Sequence, residues 1–231
     1  MSFSEIINYL REPNIISALF RLTLATICGG FIGIERIRKR RPAGFRTHTL
    51  VCIGSALTMI ISQYLWSIGQ TTDLSRLGAQ VINGIGFLGA GTIIVTGKQQ
   101  VKGMTTAAGL WASACMGLGI GAGFYLAALI CCVLIIVTIV VFSRMERFIL
   151  SRSRNINVYV EFEDTEDLSA IISTINANQV RIFDVEVTKA KYSENHYPHA
   201  IFSLQLPKKT SHTVVMTALA RIETVRSLEE L

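Results

Sequence analysis

Over the first 145 residues, apolar side chains come in runs of about twenty positions, and beyond them the period changes. Five runs stand at about 15–34, 47–66, 77–96, 104–121 and 123–143. About 20 apolar residues wound as a helix cross a bilayer, so each run is a predicted span. The last two meet at a glycine cluster, MGLGIGAGF. The first run follows a polar segment and is too long for a cleaved signal peptide, so it reads as a retained span. Further on, NINVYVEFED alternates and is β-branched, which predicts a strand. TEDLSAIISTINAN sets Leu168, Ile171, Ile172 and Ile175 at helical spacing, with Thr165 or Asp164 as N-cap and Asn178 as a left-handed stop. VRIFDVEVTKAKY and HYPHAIFSLQLP read as strands, SHTVVMTALARI as a short helix and TVRSLEEL as a last strand. That β-α-β-β-α-β order is the ferredoxin-like one. The predicted fold is an all-α polytopic membrane helix bundle over 1–150, followed by a small α+β ferredoxin-like domain over 151–231.

Charge divides the chain at the same place. Glu35 and Asp73 are the only acids between Pro13 and Met145. The first 150 residues carry 13 Lys/Arg against 5 acids, and the remainder 9 against 11. The basic excess lies between apolar runs, which points to a membrane surface and anionic lipid as its partner and away from nucleic acid. The 35–46 loop has six Lys/Arg, the 67–76 loop has Arg76 alone, the 97–102 loop has Lys98 and Lys102, and the 119–123 turn has none. Arg144, Arg147, Arg152 and Arg154 follow the fifth run. Charge thus alternates rich and poor. Five spans with the N-terminus outside and the C-terminal domain cytoplasmic satisfy the positive-inside rule at every loop, whereas four spans would misplace two.

The runs are rich in glycine, a poor residue for a soluble helix. In lipid, helices associate by close packing, and small residues four apart let backbones approach. Ala25, Gly29 and Gly33 share a face of the first run, and Gly86 shares one with Ala90 in the third, near Gly89. Thr105, Gly109, Ser113, Gly117 and Gly121 make a stripe down the fourth. A helix broken at GIGFLGAG, with backbone free to bind a solute, is the alternative use of these glycines.

Polar groups at membrane depth face a bundle interior or a cavity. Arg21 shares the small face of the first run and is expected to point inward. Arg76, Gln80 and Asn83 share a face, with Asp73 leading into it. Glu35 and Arg36 close the first run; Arg46, Thr47 and His48 open the second. Glu35 and Asp73 fall at opposite ends, so they do not form one carboxylate site for a cation. Gly84, Gly86 and Gly89 spell GxGxxG, but no acid follows until Glu146, so it is not a dinucleotide site. No P-loop, HExxH or nucleophile elbow occurs, which removes the argument for an ATPase or hydrolase. The cysteines Cys28, Cys52, Cys115, Cys131 and Cys132 lack CxxC spacing and read as small packed residues. His196 and His199, without further ligands, are weak metal candidates, and His212 reads as surface. No metal site, cofactor or enzymatic activity is expected.

The stretches GFIGIERIRKRRPAGFRTHTLVCIGSAL and RLGAQVINGIGFLGAGTIIVTGKQQVKGMTTAAGLWASACMGLGIGAG resemble the MgtC/SapB family of bacterial membrane proteins over roughly residues 20–125. The matching positions are Gly33, Glu35 and Arg36; Ala43, Gly44, Arg46 and Thr47; Arg76 through Gly91; and Val101, Gly103, Thr105, Thr106, Ala107, Ala108 and Trp111. The resemblance implies a multi-pass protein of the bacterial inner membrane with a cytoplasmic ACT-like domain. It also implies a link to growth in low Mg²⁺ and to virulence and survival inside macrophages, through contact with another membrane complex such as the F-type ATP synthase. A transporter or channel component for Mg²⁺ or another small solute is the rival reading. ACT-like domains commonly pair, which makes a homodimer the expectation by analogy. The turn NANQV lacks the glycine common in amino-acid-binding ACT domains, a departure that counts against ligand binding there.

Overall fold

The computed structural model describes residues 3–70, 73–96, 100–151, 153–188, 197–207 and 211–231. The chain divides into two compact units, Met1–Met145 and Glu146–Leu231.

The first unit is helical. A short amphipathic helix α1 (Phe3–Arg11) precedes α2 (Ile15–Arg38), which is capped by the Asn14 side chain accepting from Ser17 N at 2.8 Å. The antiparallel helix α3 (Phe45–Ser67) follows, then α4 (Leu74–Ala90), whose N-cap is Asp73. A two-residue ladder, β1 (Ile94–Val95) with β2 (Val101–Lys102), leads into α5 (Met104–Gly121). Gly103 joins ladder to helix at φ +104°, and a Cβ there would strike the Thr92 carbonyl, so only glycine fits. The chain then runs through α6 (Tyr125–Val137), a π-helical turn over Thr138–Phe142, and α7 (Ser143–Ser151). Among the described residues, three helical runs are long and apolar enough to cross a membrane: Ile15–Arg38, Phe45–Ser67 and Tyr125–Leu150. At 17 residues α4 is shorter, and α5 carries Gly and Thr where those runs carry larger apolar groups.

Two features of the third apolar run differ from the sequence expectation. The third apolar run was expected to reach residue 96, but its helix ends at Ala90 and Ile94–Val95 pair with Val101–Lys102, because Gly91 and the ladder turn the chain back. The glycines of GIGFLGAG lie within one unbroken helix as far as Ala90, so the helix is not broken there.

Packing centres on α3, which lies against α2, α4 and α5. The seam with α2 is glycine against backbone. A Cβ on Gly29 would lie 2.9 Å from the His48 carbonyl and the Thr49 Cα, and one on Gly33 would overlap the Phe45 backbone. The seam with α5 repeats this: Gly117 sits on the Cys52 carbonyl and Gly121 on the Ala56 carbonyl. Such close approach is how helices gain packing energy where lipid supplies no hydrophobic drive.

The second unit has the predicted order: β3 (Asn155–Phe162), α8 (Leu168–Ala177), β4 (Arg181–Thr188), β5 (His199–Gln205), α9 (His212–Ala220) and β6 (Val225–Glu230). Its antiparallel sheet runs β4-β5-β3-β6, with Val158 opposite Phe202 and Val160 opposite Ala200 and Leu228. Ile156, Val158, Val160 and Phe162 meet Ile171, Ile175, Val215 and Leu219 in one core. A 3₁₀ turn over Thr165–Asp167 precedes α8, and the Asp167 carboxylate accepts the Asp164 N–H at 3.0 Å. The left-handed residue after α8 is Gln179, at φ +57°, and not Asn178, at φ −86°. Asn178 instead donates its side-chain amide to the Thr174 carbonyl at 2.8 Å, which holds it in the last helical turn.

The His212 side chain is only 22% exposed, and both its ring nitrogens face oxygen. Nδ1 lies 2.8 Å from Glu230 Oε1 and Nε2 2.9 Å from the Ser153 carbonyl. The Ser153 carbonyl, more than Glu230, raises its pKa above the usual imidazole value. A raised folded-state pKa stabilises fully below the unfolded value of about 6.5 and is lost as pH rises through the folded one. Melting of the second unit in the full-length chain should therefore fall as pH climbs above about 6.5, and His212→Gln should flatten that fall. His199 stacks on Tyr159 with ring centroids 5.1 Å apart, and His196 lies outside the described residues.

Candidate polar sites in the helical unit

Arg21 is 1% exposed and organises one end of the bundle. Its Nε donates to Tyr125 Oη at 3.1 Å and to the Leu10 carbonyl at 3.3 Å. Nη1 donates to Gln63 Oε1 at 2.5 Å and to the Gly121 carbonyl at 2.7 Å, and Nη2 to Leu10 O at 2.9 Å. Tyr125 Oη and Ser17 Oγ also donate to Leu10 O, and Gln63 Nε2 donates to Ala122 O at 3.0 Å. The counter-charge is the carbonyl end of α1, where the helix dipole is negative. Beside this network lies a cavity of about 370 Å³ lined chiefly by apolar residues, among them Ile15, Ile60 and Ile61. Ser17, Gln63, Tyr125 and α1 itself are what the sequence reading missed. Only the burial of Arg21 could have signalled that such partners were needed.

The second cluster is about 22 Å away along α2, fifteen residues on at 1.5 Å each. Arg36 is 3% exposed and its Nη2 donates to Thr106 Oγ1 at 2.7 Å. His48, fully buried, has Nδ1 2.9 Å from Ser113 Oγ, and Ser113 gives its own hydrogen to the Gly109 carbonyl at 2.9 Å. Nδ1 is therefore the protonated nitrogen, and Ser113 Oγ accepts from it. Arg36 Nε, His48 Nε2 and Thr49 Oγ1 are buried and have no hydrogen-bond partner among the described residues. These bonds tie the end of α2 and the start of α3 to α5. Thr106→Val should cost about 1–3 kcal/mol by stripping a buried guanidinium of its partner, with Thr106→Ser close to neutral. Thermal denaturation of the purified variants checks this.

Other predicted residues stand apart from both clusters. Glu35 pairs with Lys39 at 3.1 Å, and Lys39 also donates to the Ile139 carbonyl in the π turn at 2.9 Å. Arg46 and Thr105 are exposed, Thr47 is half-buried and Trp111 is half-exposed. Thr105 therefore leaves the buried stripe that Gly109, Ser113, Gly117 and Gly121 form, because Thr106 takes the inward position on Arg36. Ala25 is buried, a Cβ on Gly89 would lie 3.4 Å from the Ala107 Cβ, and one on Gly86 would meet nothing within 4 Å. Gly33 contacts the start of α3, while Ser62 near its end bonds the Leu74 carbonyl. Glu35 and Asp73 are accordingly about 25 Å apart along α3. Among the described residues, no group of three or more His, Cys, Asp or Glu is placed to hold a metal ion.

Arg76, Gln80 and Asn83 are exposed, and their side chains make no hydrogen bond to the described residues of this chain. They lie on the side of α4 opposite Gly78, Ile85 and Gly89, which face the bundle. Asp73, at the head of this face, accepts from Ser75 N at 2.8 Å and Ser75 Oγ at 2.7 Å, which holds its carboxyl below the usual range and charged at neutral pH.

Apolar helices joined by glycine seams, with arginines buried among them, define a helical membrane protein. The chain belongs to the MgtC family, whose model matches residues 22–148. It is 34% identical over 206 residues to an Escherichia coli K12 protein named "Putative magnesium transporter YhiD", covering 84% of this chain and 88% of that one. It is 28% identical over 217 residues to protein SapB of Bacillus subtilis, covering 85% and 92% of the two chains. It is 43% identical over 112 residues to protein MgtC of Brucella abortus, covering 48% and 45%. No solved structure matches.

Proposed function

We propose that this chain is a non-enzymatic membrane protein of Mg²⁺-related physiology that works by lateral contact in the bilayer. In this reading α2, α3, α4, α5 and the run from α6 are five spans. The Arg21 end faces outward, and the Arg36 end and an ACT-like domain face the cytoplasm of a bacterial cell. The face of α4 bearing Arg76, Gln80 and Asn83 carries the proposal. Lipid cannot satisfy two amides and a guanidinium, whereas another protein can. Another membrane complex, of which the F-type ATP synthase is the example the family resemblance supplies, is the partner class. The link to Mg²⁺ rests on the names of the Escherichia coli and Brucella relatives, and that to virulence on the resemblance alone.

Mild-detergent purification from cells grown in low Mg²⁺ tests this. Membrane proteins that co-purify with the parent chain should be lost, at least about tenfold, when Gln80 and Asn83 both become leucine, a loss of about 1.4 kcal/mol in contact energy. The name of the Escherichia coli relative favours transport as the second reading. Under that reading the folded chain alone would move Mg²⁺ across liposomes, and the leucine variant would leave its co-purifying proteins unchanged.

A further inference from the structure

The exposed face of α4 is composed to match itself. At about 100° per residue, Asp73, Arg76, Gln80, Asn83, Gly84 and Phe87 fall together, opposite the buried side. Phe87 is 83% exposed, and a Cβ added to Gly84 would meet nothing within 4 Å, so the centre of this face is bare backbone.

Resting on the reading of this face as a protein contact, we propose that α4 pairs with the α4 of a second copy of this chain. The crossing is parallel, with its closest point near Gly84. Copies of one chain insert in one orientation, so a two-fold axis relating them stands along the membrane normal and sets like residues at like depth. A carboxamide both donates and accepts, so Gln80 and Asn83 each satisfy their own copies. Arg76 would meet a like charge, but Asp73 lies one turn away with the opposite sign and reaches the partner's Arg76. Gly84 lets the two backbones close on one another, with Phe87 packing beside them. One face then serves two contacts, so self-pairing and engagement of another complex exclude each other.

The test uses the full-length chain in native membranes. Single substitutions Gly84→Cys and Phe87→Cys are oxidised with copper phenanthroline, and adducts are counted above those of the parent, whose own five cysteines are free. An adduct of twice the chain mass is expected at both positions, reduced about tenfold when Gln80→Ala and Asn83→Ala are added. Adducts to other proteins with none of twice the chain mass would overturn self-pairing and leave the contact face standing. No adduct of either kind, from chains that melt like the parent, would overturn both. Because either site alone suffices, failure of one variant to accumulate leaves the other decisive.

Discussion

Arg21→Ala should lose most of its folded protein, with stability falling by about 3 kcal/mol or more. The guanidinium makes five hydrogen bonds to the Leu10 carbonyl, Tyr125, Gln63 and the Gly121 carbonyl. It thereby joins α1, α3, the end of α5 and the start of α6. Truncation strands the Gln63 and Gly121 oxygens without their protein donor, and each such group costs about 1–3 kcal/mol. Leu10 O keeps Ser17 and Tyr125, so the loss is concentrated on α3 and α5. Arg21→Lys should fall between, since an ammonium keeps the charge but not the planar fork that reaches both sides. Thermal denaturation in detergent, with the fraction of monodisperse protein recorded, checks both variants. A melting point for Arg21→Ala equal to the parent's would contradict this account of the network.

Gly117→Leu should be as damaging, by about 3 kcal/mol or more. A Cβ at Gly117 would overlap the Cys52 carbonyl and lie 2.9 Å from Ser55 Cβ. Backbone cannot swing aside as a long side chain can, so α5 must lift off α3, and Gly121 against Ala56 must follow. Gly86 provides the contrast: it is helical, exposed and open, so Gly86→Ala should raise stability by about 0.5–1 kcal/mol through helix propensity alone. The same melts decide. If Gly117→Leu and Gly86→Ala behaved alike, the glycine seam between α3 and α5 would not be what holds the bundle.

These contrasts mark how far sequence alone could reach. Small residues at four-residue spacing identified Gly29, Gly33, Gly117 and Gly121 as contact positions, because that spacing follows from helix geometry whatever the partner. It could not say that the partner of both stripes is α3 of the same chain, since spacing carries no address. Gly86 shows the limit from the other side, having the right spacing yet nothing against it. Arg21 was legible as inward-pointing from its place on the small face. Its acceptors were not, because three of its bonds go to backbone carbonyls, which leave no mark in a sequence. Periodicity read the second unit element by element, down to Leu168, Ile171 and Ile175, because a switch from a period of 3.6 to one of 2 is a local signal. The left-handed turn fell one residue later, on Gln179, because Asn178 is held in the helix by its own side chain. The pairing of Arg36 with Thr106, seventy residues away, was beyond any local signal.

Growth in low Mg²⁺ tests the central claim, that the exposed polar face of α4 is where this protein acts. A strain lacking the chain is supplied with either the parent or the variant carrying Gln80→Leu and Asn83→Leu, each checked for membrane level and melting point. The account predicts that the variant accumulates and melts like the parent, yet fails to restore growth. Full restoration by a variant whose α4 face is wholly apolar would contradict it, and would move the function to the buried Arg21 and Arg36 clusters.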